Sequence, residues 1–288
     1  MPFSQPITDV IQARFSCRSY QKAPIAPPVQ ASLEAFIGAH PSGPFGTQPR
    51  FKLVAATADD RRTLRGLGTY GFIRGAQGFI IGAAGEERGS LEDYGYLMEH
   101  IILLATDLGL GSCWLGGSFT RSSFAKKIAL QEGEQVPAVT SLGYVLGAPS
   151  RVDALIRQSA RADRRRPWEQ LFFDRAFDIP LSRQAAGDHA TPLEMVRLGP
   201  SASNKQPWRI VKDGVTWHLY LRRTPRYQER WVMRLLSIAD MQRIDMGIAM
   251  CHWALTAAEI GLPGRWSFQE PAIETPDETV SYVASWVS

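Results

Sequence analysis

DYGYLMEHIILLATDLGLGSCW (93–114) and DMGIAMCHWALTAAEIGLPGRW (245–266) align without a gap, and nine of their 22 positions are identical. Ordinary residue usage gives about one or two identities by chance over such a stretch, so the chain carries an internal repeat. Each copy reads as a largely apolar helix opening near Asp93 or Asp245 and closing at Gly109 or Gly261. An acidic residue sits in the first turn, where it suits the positive helix end, and a glycine follows the last periodic residue.

The similarity extends upstream. LEAFIGAHPSGPFGTQPRFKLV (33–54) resembles LEMVRLGPSASNKQPWRIV (193–211) in its Pro-Ser and Gln-Pro order. In both, a helix (30–38 or 192–198) leads through a polar loop into a strand of partly alternating apolar residues, RFKLVAA or WRIVKDG. A strand near 138–147 closes the first copy, and strands mixed with helices in this order predict an α+β domain. The expected organisation is a first half at 1–150, a wrapping segment with an arginine cluster at 151–180, and a second half at 181–288.

Composition narrows the function classes. The chain has 288 residues, 44% hydrophobic and 21% charged, which excludes disorder, collagen and coiled coil. Cys17, Cys113 and Cys251 are too few and too dispersed for a disulfide framework or a thiolate metal site, and no metal site is expected. No apolar run reaches the roughly 18 residues of a membrane span. MPFSQPITDV lacks the blocks of a signal peptide, so a cytoplasmic location is expected. The net charge of +4 is concentrated in Arg157, Arg161, Arg164, Arg165 and Arg166, enough for one local anion site but not for a nucleic-acid surface.

Three motifs carry chemistry. In RFSCRSY (14–20), Arg14, Ser16 and Arg18 alternate and share one side of an extended segment, where their donors can converge on an anion; a solvated basic loop is the plainer alternative. In PSASNKQPW (200–208), Ser201 and Asn204 offer hydroxyl and amide groups to the polar edge of a flat heterocycle; an ordinary turn with a packing tryptophan is the alternative. GLGSCWLGG (109–117) leaves a helix into a glycine-rich stretch whose backbone can approach a ligand closely. No Ser-His-Asp order or paired carboxylate stands out as a catalytic set. His100 and His252, at equivalent repeat positions, read as core or interface residues, and Asp93 and Asp245 as helix-start residues.

Together these motifs resemble the FMN-dependent nitroreductase family, in particular its branch with two halves fused in one chain. RFSCRSY is similar to that family's RxSxR segment, PSASNKQPW to its PSxxNxQPW loop, GLGSCWLGG to its GLGxxW element, and RRRPWEQLFF (164–173) to its closing basic-Pro segment. The resemblance implies a nitroreductase-like fold whose two related halves form an internal pseudo-dimer. It implies FMN as cofactor, NAD(P)H as reductant, a small-molecule electron acceptor and a monomeric chain.

The site residues the resemblance implies are Arg14 and Arg165 on the FMN phosphate, with Arg164 or Arg166 as substitutes. Ser16 and Arg18 fall on the phosphate–ribityl side or the pyrimidine edge. Leu115, Gly116 and Gly117 present backbone groups near the ring's N5 and O4, and Ser201 and Asn204 hold its polar edge from the other half. The first-half counterpart of the Asn loop, PSGPFGTQPRF (41–51), has no Asn, and the second half has nothing like RxSxR. One composite site is therefore expected, with a degenerate second one. A flavin-binding or degenerate scaffold without turnover is the competing expectation.

Overall fold

The computed structural model describes residues 3–39, 42–57, 60, 62–147, 164–225 and 239–288; Arg157 and Arg161 of the arginine cluster lie outside them. The first sheet contains β1 (Arg50–Ala55), β2 (Gly78–Ala83), β3 (Gly111–Leu115) and β4 (Val139–Gly143) in the order β1-β2-β4-β3, all neighbours antiparallel. The second contains β5 (Phe172–Asp174), β6 (Trp208–Asp213), β7 (Thr216–Arg222), β8 (Arg265–Ser267) and β9 (Val280–Val287) in the order β5-β6-β7-β9-β8. Apart from β5, which joins parallel to β6, the second sheet repeats the strand order of the first.

The helices are α1 (Ile7–Ala13), α2 (Pro27–Gly38), α3 (Ser90–Asp107), α4 (Arg121–Ile128), α5 (Arg183–Ala186), α6 (Ala190–Leu198) and α7 (Met241–Glu259). Along the chain, the long repeated helix stands between β2 and β3 in the first half (α3) and between β7 and β8 in the second (α7). The architecture is α+β, two sheets of shared strand order around two packed helices. Among the described residues, no helix is long and apolar enough to cross a membrane.

The repeated helices close where the glycines predict, with Gly109 and Gly261 in the left-handed region at φ 81° and 74°. They begin earlier than expected, at Ser90 and Met241. The start of α7 is capped by Asp240, whose Oδ1 accepts from the amides of Gln242 (3.2 Å) and Arg243 (3.4 Å), so Asp245 is left for another task. Both helices are buried over most of their circumference, because each lies between its own sheet and the other helix.

The seam between the halves is reciprocal. A β-carbon on Gly95 would lie 2.2 Å from the Ile244 carbonyl oxygen, and one on Gly247 would lie 1.9 Å from the Glu92 carbonyl oxygen. Gly95 is the repeat equivalent of Gly247, and Glu92 of Ile244, so each helix makes on its partner the contact it receives. Twofold-related surfaces have this property. Across the same seam, Arg243 donates from Nε (2.7 Å) and Nη2 (2.6 Å) to the two oxygens of Glu92.

α1 crosses from the first half to the second. Ile7, Val10 and Ile11 pack with Leu103 of α3, Met195 of α6, and Cys251 and Leu255 of α7. The amides of Ile7 and Thr8, at the start of α1, donate to the Glu259 carboxylate at the end of α7. Within the segment between the halves, Trp168, Leu171 and Phe172 are buried in the core of the second half, under α7.

Candidate functional site

Among the described residues, three of the six non-glycine residues with positive φ lie in the 200–208 loop. Ser203, Asn204 and Gln206 all adopt left-handed φ, at 51°, 54° and 50°. Each such non-glycine residue costs of order 1 kcal/mol or more and persists only where its surroundings over-determine it. Here they do. Asp245 Oδ1 accepts from the Ala202 amide (2.9 Å), Ser201 Oγ accepts from the Gln206 amide (2.8 Å), and Trp208 is fully buried beyond Pro207.

The basic segment 164–166 closes on the same loop. Asn204 Nδ2 donates to the Arg164 carbonyl (2.8 Å), and the Arg166 amide donates to Gln206 Oε1 (2.7 Å). Arg165 reaches Asn204 Oδ1 from Nη1 (3.5 Å) and the Leu198 carbonyl from Nη2 (2.9 Å), so it ties Asn204 to the last turn of α6. Arg165, Ser201 and Asn204 thus share one network.

The equivalent aspartates do equivalent work in the two halves. Asp93 accepts from the amides of Phe45 (2.9 Å) and Thr47 (2.9 Å) and from the Thr47 hydroxyl (2.8 Å), pinning the 42–49 loop as Asp245 pins 200–208. Burial pushes both carboxyls up, Asp245 far above the ordinary range, because fewer donors answer it. Reading these residues as helix-start groups missed that role. The available signal was their place in the repeat beside two related loops.

On the first-half side, residues 14–20 run beside β3. Ser16 pairs with Ser112, and the Cys17 amide donates to the Ser112 carbonyl (2.8 Å). Cys17 and Ser19 turn inward and are buried, whereas Ser16 and Arg18 stay half-buried, the alternation expected of an extended segment. Arg18 Nη1 donates to the Ser16 carbonyl (3.4 Å). At the far end of β3, Leu115 is buried, and Gly116 leaves room for Met241: a β-carbon there would be 2.7 Å from the Met241 sulfur. The glycine turn of the first half therefore abuts the first residue of α7.

Arg14 enters a buried cluster that sequence reasoning did not find. Its side chain is 6% exposed and its Nε lies 3.8 Å from Oε1 of fully buried Glu99. Glu99 also accepts from Trp114 Nε1 (2.7 Å) and His252 Nε2 (3.0 Å), and His252 Nδ1 meets the Met195 carbonyl of α6 (2.8 Å). Burial raises the Glu99 carboxyl, but the hydrogen bond and charge of His252, followed by Arg14 and Trp114, outweigh it and hold the group below its ordinary value. An acidic residue inside an otherwise apolar helix was the one sequence signal for this cluster.

Helix α6 is where the two sets meet. Arg14 connects to it through Glu99 and His252 at Met195, and Arg165 and Asn204 connect to it at Leu198. Ser16, Arg18, Leu115 and Gly117 remain on the first-half side, with Gly116 touching the second half.

The pseudo-symmetric counterpart carries an aromatic contact. Phe268, two residues past the aligned stretch, stands where Gly116 stands in the first half, and its ring lies 4.0 Å from that of Phe45 in the 42–49 loop. Among the described residues, no group of three or more His, Cys, Asp or Glu could hold a metal ion.

Residues 6–257 match a protein-family model described as "Putative TM nitroreductase". A Thermotoga maritima structure described as "a putative nitroreductase (tm1586)" superposes with TM-score 0.60 at 19% identity, covering 98% of this chain and 94% of that one. An FMN-dependent nitroreductase from Clostridium difficile R20291 matches at 22% identity and TM-score 0.41 over 49% of this chain and 88% of its own. A Bacteroides fragilis nitroreductase with bound FMN matches at 22% identity and TM-score 0.39, over 51% of this chain and 93% of its own. The chain matches none of the curated proteins.

Proposed function

The chain belongs to the nitroreductase family whose model it matches, and from that premise we propose that it is an FMN-dependent oxidoreductase. It takes hydride from NADH or NADPH and reduces a nitroaromatic, quinone or similar conjugated acceptor. The family's two-subunit site is here contained in one chain, a monomeric pseudo-dimer with halves at 1–150 and 181–288 and Arg165 supplied by the segment between them. The observation that carries this reading is the convergence on α6 of the first half's Arg14 and the second half's Asn204, each retained in one half only.

The donor set fits FMN. Arg14 Nε is buried with no hydrogen-bond acceptor, and Glu99 balances its charge from a distance too long for a hydrogen bond. Such a guanidinium retains its fork for a phosphate. Arg14 and Arg165 would hold the phosphate, and Ser16 and Arg18 the adjoining ribityl or pyrimidine side. Ser201 and Asn204 would hold the ring's polar edge, with the backbone of Leu115, Gly116 and Gly117 facing the ring. When bound, FMN supplies the hydride chemistry. The chain's part is to bind, orient and stabilise charge, which agrees with the lack of an acid–base pair in the motifs.

The test is direct. Purified protein should be yellow or become so with added FMN, bleach with NADH or NADPH, and regain colour with a nitroaromatic. Protein that stays colourless at saturating FMN would refute the proposal. One observation favours a second reading: Arg165 and Asn204 are already bonded to each other. If that pair only braces the loop, flavin binds and is never reduced, and the chain is a flavin-binding scaffold.

A further inference from the structure

The 200–208 loop has a second set of basic groups, at its Lys205–Pro207 end. Three successive carbonyls anchor three arginines there: Lys205 O accepts from Arg166 Nε (3.3 Å), Gln206 O from Arg209 Nη1 (3.1 Å), and Pro207 O from the Arg222 amide (2.8 Å). In the β6–β7 register Arg209 lies opposite Tyr220, so Arg222 is its diagonal neighbour on the same face, about 7–8 Å away in backbone terms. That face is the one turned away from α7, since Trp208, Ile210, Leu219 and Leu221 pack under the helix.

The charges do not balance. Arg209 is 4% exposed, its Nε is buried without an acceptor, and Nη1 alone is bonded, to the carbonyls of Gln206 and Trp208. Burial, then the charges of Arg166 and Arg222, push its guanidinium down to about 9. Among the described residues, the carboxylate that meets this set is Asp277, 4.0 Å from Arg222, with both side chains about half exposed. Burying a cation beside two others is costly unless an anion completes the set. Guanidinium forks match the paired oxygens of phosphate and carboxylate groups, and a phosphate brings the greater charge to a set of three cations.

We infer that Arg166, Arg209 and Arg222 form a second anion site, separate from Arg14 and Arg165, that takes a phosphate group. The inference depends on the proposed function only in leaving the cofactor's phosphate to Arg165 rather than Arg166.

The experiment is calorimetric titration of inorganic phosphate into the full chain at low salt. Wild type should bind saturably. Arg222→Gln, a change at a half-exposed side chain, should weaken binding about tenfold or more, as should Arg166→Gln. The double variant Arg14→Gln/Arg165→Gln, which removes the phosphate contacts proposed for the flavin site, should still show one saturable phosphate site, even if it has lost flavin. Adenosine monophosphate titrated into that double variant separates the sources: it binds more tightly than the inorganic ion if the phosphate is nucleotide-borne, and no more tightly if free phosphate is the ligand. Wild-type affinity in Arg222→Gln, no saturable binding by wild type, or loss of binding in the double variant would each overturn the site. The first two leave the flavin reading intact, and failure to bind flavin leaves this site intact.

Discussion

Arg14 brings a positive charge into a space where its side chain is 6% exposed, and Glu99 offsets the cost. The carboxylate is held in turn by Trp114 from β3 and His252 from α7. The His252 ring bridges the Met195 carbonyl of α6 and the Glu99 carboxylate of α3, two partners from different elements. The arrangement fixes where Arg14 can point without using up its donors. Replacing Arg14 and Arg165 together by glutamine should therefore lower FMN affinity by about tenfold or more, while riboflavin, which has no phosphate, should lose little. Fluorescence titration of both ligands measures this, and equal weakening would remove the two arginines from the phosphate.

At the scale of elements, the repeated helices fix the distance between the halves. Gly95 and Gly247 let two backbones approach to where no side chain fits, so Gly247→Ala must either part the helices or distort one of them. The expected cost is about 1–3 kcal/mol, read as a drop of several degrees in the thermal midpoint. Gly38→Ala is the control: at the end of α2 nothing lies within 4 Å of the added methyl, so the helix should be unchanged or stabilised by up to about 1 kcal/mol. Equal midpoints for Gly247→Ala and wild type would contradict the close crossing. Loops are set by the same helices, since Asp93 and Asp245 project from α3 and α7 to hold them. A change in the crossing should reach the 200–208 loop through Asp245.

For the whole molecule, the two related halves differ at equivalent positions: Gly116 in the first corresponds to Phe268 in the second. Phe45 and Phe268 meet where the counterpart of the Asn204 loop would face the counterpart of Gly116, so the chain should bind one FMN, not two. Equilibrium dialysis at saturating flavin reads this number, and two per chain would refute the single site. The repeat, its helix–loop–strand unit and the three motifs were legible from residues alone, because hydrophobic period, turn chemistry and the Gly109 and Gly261 stops are local properties of the chain. The 14–20 segment showed its alternation for the same reason. Folding decided the rest. Glu99 and His252 are 153 positions apart, and nothing in the spacing pairs a helix carboxylate with an imidazole on the other helix. Asp93 does sit in the first turn of α3, but Asp245 looked like a helix-start group until α7 was seen to begin at Met241, and Arg209 looked like an ordinary strand residue until three carbonyls gathered arginines from three segments. Contacts of that kind depend on which surfaces meet, and that is set by the packing of two cores across a glycine seam rather than by any stretch of neighbouring residues.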